Sequence, residues 1–186
     1  MPFDHFDFIA PIFSRVSYSS LEEMINHAAL PTPGRVLDAG GGTGRVASAI
    51  RAHAGEVVIA DPSFGMLRQA DGTRLGLACA NSESLPFPDE TFERVIMVDA
   101  LHHVIDQRET TREMYRMLKP GGRIVIEEPD IRKFGVKLIA VAEKLLLMRS
   151  HFLSPAEIVE LFSFDSSKAS IHAGDGNAWV VIEKPG

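Results

Sequence analysis

The sequence predicts a doubly wound α/β fold built on a mainly parallel sheet. Short β-rich apolar runs alternate with segments of helical period through most of the chain, and this alternation is typical of parallel strands joined by right-handed helical crossovers. The 186 residues, 45% of them hydrophobic and 24% charged, suit one well-buried domain. A glycine-rich turn directly follows the first apolar run, as in many nucleotide-binding folds of this class.

Five runs are predicted to be buried strands because they are rich in β-branched residues and are bounded by turn residues. They are GRVLDA (34–39), EVVIAD (56–61), RLGLACA (74–80), FERVIMVD (92–99) and GRIVIEE (122–128). Between them, helical spacing of apolar residues predicts helices over Arg45–His53, Ser63–Ala70 and Arg108–Leu118. Leu85–Pro88 is predicted to be a rigid loop that leads into the fourth strand.

The two ends of the chain complete this architecture. Ser20-Leu21-Glu22-Glu23 has the pattern of a capping box and predicts a helix over Ser20–Leu30. Ser154-Pro155-Ala156-Glu157 repeats that signal, with proline at the first helical position. The final segment, KASIHAGDGNAWVVIEKP, predicts two strands joined by a tight turn, which must be antiparallel. The sheet then has seven strands, with an antiparallel C-terminal strand.

Charge and cysteine content exclude several classes of function. A net charge of −6 disfavours nucleic acid as a general partner. Cys79 is the only cysteine, so we expect no internal disulfide and no cysteine-rich metal site. The N-terminal segment carries acids where a signal peptide carries Lys or Arg, and the apolar stretch Val136–Met148 is too short and too charged to span a bilayer. We therefore expect a cytoplasmic protein with no metal, no membrane span and no nucleic-acid partner.

The glycine turn in VLDAGGGTGRVA excludes phosphate-binding loops. A phosphate loop ends in Lys followed by Ser or Thr, whereas this turn ends in Arg45-Val46. The dinucleotide fingerprint requires a sixth-position glycine, which is again Arg45 when counted from Gly40. Asp38, at the end of the preceding strand, would repel a pyrophosphate and attract a cation. The pattern therefore favours a positively charged ligand.

A second acid indicates the rest of that ligand. Asp61 follows the second strand, 19 residues after Gly42, at the spacing of a ribose-binding carboxylate. Such a carboxylate can accept hydrogen bonds from both ribose hydroxyls. A cationic, ribose-bearing cofactor without phosphate is S-adenosylmethionine. The alternative is a tight strand-to-helix turn with two incidental acids.

Four motifs in sequence order resemble the class I S-adenosylmethionine-dependent methyltransferases. They are VLDAGGGTGRVA, ADPSFGMLRQA, NSESLPFPDETFERVIMVDALHHV and REMYRMLKPGGRIVIEE. The resemblance is strongest between Arg35 and Glu128 and is closest to the type-11 group, which includes ubiquinone/menaquinone-type enzymes. It implies a Rossmann-like fold, S-adenosylmethionine as cofactor and S-adenosylhomocysteine as product.

The resemblance also implies a role for each site residue. The glycine loop with Gly40, Gly42 and Gly44 holds the methionine part, with Asp38 near its amino group and Asp61 on the ribose. Around the adenine and beside the cofactor the resemblance puts Pro62, Ser63, Met66, Asn81, Ser82, Asp99 and Ala100. The family usually has Asp at the position of Asn81, whose amide can both accept and donate a hydrogen bond.

The acceptor and the catalytic base are less constrained. The segment Asp99-Ala100-Leu101-His102 lacks the Pro-Pro-aromatic run that is usual in enzymes that methylate amide or adenine nitrogen. Methylation of cytosine C5 in RNA usually requires a cysteine nucleophile after the fourth or fifth strand, whereas Cys79 lies at the end of the third. We expect a small-molecule acceptor. His102 and His103 are candidate bases, although they can equally shape the loop. Glu127, Glu128 and Asp130 are predicted to be solvated loop acids; the alternatives are that they line, with Pro129, the pocket of a cationic or hydroxylated substrate, or that they bind a metal, which no further His or Asp spacing supports.

Two apolar segments lie outside the predicted sheet. The first carries the aromatic residues of the N-terminal segment, which form either a flap over the site or an arm on the domain edge: Phe3, Phe6, Phe8, Phe13 and Tyr18. The second is a predicted helix over Phe134–Met148, which forms a pocket wall or lid, or the face of a homodimer.

The sequence therefore predicts a single methyltransferase domain over 1–186. It comprises an N-terminal arm and helix (1–33), a cofactor-binding core (34–128), and helices with a closing hairpin (129–186). The predicted reaction is in-line methyl transfer from S-adenosylmethionine to a small molecule. One alternative is a non-catalytic methyltransferase-like binding or regulatory protein. A weaker one is an NAD-binding oxidoreductase, which Asp38 and Arg45 disfavour.

Overall fold

Seven strands form one mixed sheet in the computed structural model, which describes residues 20–70, 75–137, 150–163 and 166–186. The strand order is β3-β2-β1-β4-β5-β7-β6. The strands are β1 Thr32–Ala39, β2 Ala54–Asp61, β3 Leu75–Cys79, β4 Phe92–Val98, β5 Leu118–Pro129, β6 Lys168–Ala173 and β7 Asn177–Glu183. Strands β1 to β5 are parallel, and β7 runs antiparallel to both β5 and β6. The predicted fold class is confirmed.

Helices cover both faces of the sheet. They are α1 Leu21–His27, α2 Arg45–Ile50, α3 Phe64–Leu67, α4 Gln107–Met117 and α5 Pro155–Glu160, with 3-10 turns at Arg51–His53 and Leu101–His103. Neighbouring residues of a strand point to opposite faces, and both faces of the central strands are buried. Leu37 packs on the side of α4 and α5, whereas Val36 packs on the side of α1 and α2.

One of the two predicted capping boxes is wrong. Ser20 precedes α1 but has ψ near 34° and makes no side-chain cap hydrogen bond, because this backbone turns its hydroxyl away from the first helical turn. At the other end of α1, Arg94 Nε donates to Ala28 O at 2.5 Å and Arg123 Nη1 donates to His27 O at 2.9 Å. Helix α1 is therefore stabilised at its C-terminus, by cations on its free carbonyls.

The second capping box is confirmed. Ser154 Oγ accepts from Glu157 N at 3.4 Å, and Glu157 Oε2 accepts from Ser154 N at 2.7 Å. Pro155 takes the first position of α5, where its missing N–H costs nothing. This cap fixes where the chain enters α5, just after residues 150–153, which lie beside the cavity described below.

A bidentate ion pair on α4 fixes the loop that leads into β4. Arg116 Nε and Nη2 donate to the two carboxylate oxygens of Glu113 at 2.7 and 2.9 Å. The same guanidinium donates to Phe87 O at 2.9 Å, and Glu113 Oε2 accepts from Leu85 N at 2.9 Å. These bonds lower the pKa of the Glu113 carboxyl. The predicted rigid loop at Leu85–Pro88 is thus held by one side-chain pair.

Within the described ranges, no helix combines the length and the apolar character needed to cross a membrane.

Replacing Arg116 with Lys should lower the free energy of unfolding by about 1–3 kcal/mol, because an ammonium cannot reproduce the forked contacts to Glu113 and the loop. Arg112→Lys is the matched control, since Arg112 forms an exposed pair with Glu109 at the same spacing on the same helix. The Arg112→Lys substitution should lower the free energy of unfolding by less than about 0.5 kcal/mol. Urea unfolding curves measure both, and equal losses would contradict the assigned role of Arg116.

Candidate cofactor and active site

The candidate site is a cavity of about 500 Å³ at the carboxyl ends of the parallel strands. It lies beside the point where the strand order reverses between β1 and β4, which is where open α/β sheets bind ligands. Its walls come from the segments that follow β1, β2, β3 and β4, from Pro129 at the end of β5, and from Phe152.

The glycine turn after β1 brings main chain against the end of β4. Gly40 and Gly42 have φ of 71° and 53°, in the left-handed region that favours glycine. A Cβ on Gly40 would lie 2.7 Å from the Cβ of Ala100, so no larger residue fits there without movement. Gly40 and Gly42 line the cavity, whereas Gly44 precedes α2 and packs toward Ile59.

Asp38 is the most buried acid of the site, with 1% of its surface exposed. Its Oδ2 accepts one hydrogen bond, from Ala47 N in α2 at 3.1 Å. Burial, reinforced by the nearby Asp61 carboxylate, raises the pKa of Asp38 to about 7, against the opposing effects of the Ala47 bond and Arg45. A cationic ligand group beside this carboxylate would stabilise its ionised form.

Asp61 connects the two loops that follow β1 and β2. Its Oδ2 accepts from Gly42 N at 2.9 Å and its Oδ1 accepts from Ser63 N at 2.8 Å. Ser63 then caps α3 by accepting from Met66 N at 3.1 Å. The Asp61 carboxylate therefore holds the loop after β1 against the loop after β2 at the edge of the cavity.

The remaining predicted cofactor residues line the same cavity. They are Pro62, Ser63, Met66, Asn81, Ser82, Asp99 and Ala100. Ser82 is buried and Asn81 is exposed. Asp99 has a left-handed φ of 52° and faces Arg45, whose Nη2 lies 3.4 Å from Asp99 Oδ2. Partial burial and the Glu128 carboxylate raise the pKa of Asp99.

The two predicted histidines form the opposite wall together with Phe152. The His102 ring stacks on Phe152, with the two ring centroids 4.4 Å apart. The centroid of the His103 ring lies 4.0 Å from that of His102, at an interplanar angle of 48°. His151 N donates to His102 O at 2.7 Å, and Ser150 Oγ lies 3.4 Å from His103 Nδ1. The site thus has an acidic, glycine-rich side and an aromatic side.

The prediction of solvated acids after β5 is wrong. Glu127, Glu128 and Asp130 are all buried, because β5 lies between β4 and β7 and its end is covered from both sides. Glu127 accepts from the Asn177 side chain on β7, and Asp130 Oδ2 pairs with Arg132 at 2.7 Å. Glu128 accepts from the main chain of the 99–102 segment and from His102.

The sequence predicts no site role for several other lining residues. They are Arg45, Val46, Glu83, Val98, Val104, Ile105 and Phe152. Arg45 breaks both glycine patterns, and Phe152 lies in an irregular segment with no periodicity. The N-terminal aromatic residues and positions 138–148 of the predicted helix after β5 lie outside the described residues.

Asp38→Asn should stabilise the protein at pH 8, because it replaces a buried anion with a neutral group of the same shape. The pKa of Asp38 is near 7 in the folded protein and about 4 in the unfolded chain. Below pH 4 the group is protonated in both states and costs the fold nothing; as the pH rises through 7, the free energy of unfolding falls, and the loss is complete by pH 8. The loss amounts to about 4 kcal/mol. Thermal unfolding of the wild type and the variant from pH 4 to pH 8 measures the difference.

The control is Asp175→Asn, in the exposed turn between β6 and β7, which should leave the pH dependence unchanged. A wild type and an Asp38→Asn variant with parallel pH profiles would show that Asp38 is not a buried, destabilising anion.

Comparison with known proteins agrees with the architecture of this site. Residues 37–126 match the family model described as a methyltransferase domain. The chain is 37% identical over 143 residues to a demethylmenaquinone methyltransferase of Clavibacter sepedonicus, covering 70% of this chain and 58% of that protein. It is 40% identical over 105 residues to a ubiquinone/menaquinone biosynthesis C-methyltransferase of Pasteurella multocida, covering 50% and 39%. The chain thus spans about half the length of the curated relatives it matches.

Solved structures share the fold at lower identity. An S-adenosylmethionine-dependent methyltransferase of Thermotoga maritima superposes with a TM-score of 0.79 at 22% identity, covering 96% of this chain and 98% of that one. A cyclase of the 4+2 type superposes with a TM-score of 0.77 at 15% identity, covering 97% and 94%. At these identities the likeness concerns the fold alone, and the cyclase illustrates that one fold carries several chemistries. The family match over residues 37–126 and the sequence relatives thus support a class I S-adenosylmethionine-dependent methyltransferase of the ubiquinone/menaquinone type.

Proposed function

We propose that this chain binds S-adenosylmethionine in the 500 Å³ cavity and transfers its methyl group to a small aromatic acceptor. The observation that carries the proposal is the pair of buried acids, Asp38 and Asp61, on either side of a left-handed glycine turn in one cavity. The two carboxylates would repel the phosphate of a phosphate-bearing ligand. A cationic nucleoside would instead have its positive charge attracted by a carboxylate and its ribose hydroxyls matched with a hydrogen-bond acceptor.

The residues present fit this cofactor. Asp38, with its raised pKa, suits the positively charged methionine part, and Asp61 places on the cavity wall a carboxylate of the kind that accepts hydrogen bonds from ribose hydroxyls. Met66 supplies an apolar and polarisable surface for the adenine, and Ser82 supplies a hydroxyl at the same wall. When bound, the cofactor supplies a sulfonium methyl group: a nucleophile forms a bond to the methyl carbon as the carbon–sulfur bond breaks and its electron pair passes to sulfur.

The opposite wall suits a planar acceptor. His102, His103 and Phe152 present aromatic rings, and Val104 and Ile105 extend that surface with apolar groups. The curated relatives are named for quinone biosynthesis, and one is named a C-methyltransferase. We therefore propose an acceptor of the hydroquinone class. Its ring carbon attacks the methyl group, and the ring proton then passes to an imidazole of this wall.

Binding of S-adenosylmethionine should be measurable by isothermal titration calorimetry in the micromolar range. Asp61→Asn should weaken it by about tenfold to a hundredfold, because a charge-assisted acceptor is lost from the ribose side. Glu56→Gln is the control on the same strand, since Glu56 is exposed and pairs with Arg35 outside the cavity. No heat and no thermal stabilisation of the wild type at millimolar ligand would instead favour the non-catalytic alternative.

Turnover should be detectable with 1,4-naphthohydroquinone under anaerobic conditions, as release of S-adenosylhomocysteine and a ring-methylated product by mass spectrometry. With S-adenosylmethionine held near the wild-type Kd, the Asp61→Asn variant should release about tenfold to a hundredfold less of both, whereas Glu56→Gln should match the wild type. Wild-type protein that binds the cofactor but methylates no member of a hydroquinone and phenol panel would contradict the proposed acceptor class, without touching the proposal that the cofactor binds.

A further inference from the structure

The Glu128 carboxylate lies at the end of β5, where nothing in the proposed function yet uses it. The residue is 4% exposed, and its carboxylate makes three hydrogen bonds. Its Oε1 accepts from Ala100 N at 2.9 Å and from Leu101 N at 2.8 Å, and its Oε2 lies 2.5 Å from His102 Nδ1. One buried group therefore contacts both the main chain beside the cavity and a candidate base.

This arrangement determines which ring nitrogen of His102 carries the proton. Glu128 Oε1 accepts from two main-chain amides, and a carboxylate has no proton to donate at its other oxygen, Oε2. Nδ1 must then donate, so in the neutral imidazole Nε2 carries the lone pair. A general base needs its accepting nitrogen defined in this way before the substrate arrives.

Packing fixes the plane of the same ring. His102 is 5% exposed, its ring stacks on Phe152 at an interplanar angle of 15°, and its carbonyl accepts from His151 N at 2.7 Å. The hydrogen bond from Nδ1 to Glu128 then fixes the rotation of the ring about its χ angles. Between them, Glu128 and Phe152 set both the tautomer and the orientation of the imidazole on the cavity wall.

Glu127 provides a contrast within the same strand. Adjacent residues of a strand point to opposite faces: the Glu127 carboxylate accepts from the Asn177 side chain on β7, whereas the Glu128 carboxylate lies against His102 Nδ1. Two neighbouring, equally buried glutamates thus have different partners. Any effect specific to Glu128 can be separated from the general effect of neutralising a buried acid at this sheet edge.

We propose that Glu128 is a positioning residue that holds His102 in the Nδ1–H tautomer and so makes Nε2 the proton acceptor of the reaction; this inference rests on the proposed function. In the transfer step, the ring proton of the acceptor passes to Nε2 once the ring carbon has bonded to the methyl carbon and the carbon–sulfur bond has broken. Glu128 does not take that proton. It stabilises the imidazolium that results.

Glu128→Gln tests this assignment with little change of shape. The glutamine oxygen can still accept from Ala100 N and Leu101 N, but its amide must donate to His102 Nδ1. The tautomer then reverses, and Nε2 becomes a donor that cannot accept a proton. Hydroquinone methylation should fall about a hundredfold or more, the usual contribution of a general base, while the Kd for S-adenosylmethionine stays within about threefold.

The reversal has a direct spectroscopic readout. In 15N NMR spectra of the histidine side chains, the signal that disappears in His102→Asn should show a protonated Nδ1 in the wild type and a protonated Nε2 in Glu128→Gln. Glu127→Gln is the matched control and should keep the wild-type tautomer and a rate within about threefold. Glu128→Asp retains an acceptor-only carboxylate and should keep the tautomer and recover part of the rate.

An unchanged His102 tautomer in Glu128→Gln would overturn the positioning role, whatever the activity. A reversed tautomer with undiminished methylation would overturn the role of Nε2 as acceptor. The NMR comparison needs neither cofactor nor acceptor. A wild type that binds no S-adenosylmethionine would contradict the proposed function. The His102 tautomer in the wild type and in Glu128→Gln would still decide the positioning role of Glu128.

Discussion

Three buried carboxylates at the carboxyl edge of the sheet hold the loops of the site by accepting main-chain hydrogen bonds. Asp38 accepts from the first turn of α2, Asp61 accepts from the segments after β1 and β2, and Glu128 accepts from the segment after β4. Each loop therefore has its amides directed at an anion that its own or a neighbouring strand supplies. The strands fix where the anions lie, and the anions fix the loops.

The same constraint explains why this edge is chemically active. Buried carboxylates are costly unless they are neutralised, and main-chain amides neutralise them only in part. Asp61 and Glu128 each accept at least two main-chain hydrogen bonds, whereas Asp38 accepts one and has a raised pKa. Of the three carboxylates, Asp38 thus has the fewest main-chain donors, at the point where a cationic cofactor would neutralise it.

Local sequence patterns determine the strands, the order of helices and the glycine turn, and all of these could be predicted. Asp38 and Asp61 were recognisable because each ends an apolar run at a fixed distance from the glycines. The burial of Glu128 was not predictable, because it depends on β7 returning beside β5 and on the 99–102 segment folding over the strand end. Ser20 illustrates the converse: its sequence has the capping pattern, but the backbone conformation needed for the cap is absent.

The hairpin that closes the sheet reaches the site through its tight turn. Asn177 at the start of β7 contacts Glu127, whose carbonyl accepts from Asp99 N at 2.9 Å, and Gly176 O accepts from Asp130 N at 3.0 Å. Substitutions in this C-terminal turn, remote in sequence from the motifs after β1 and β2, would therefore act on the ends of β4 and β5 while leaving every residue of those motifs in place.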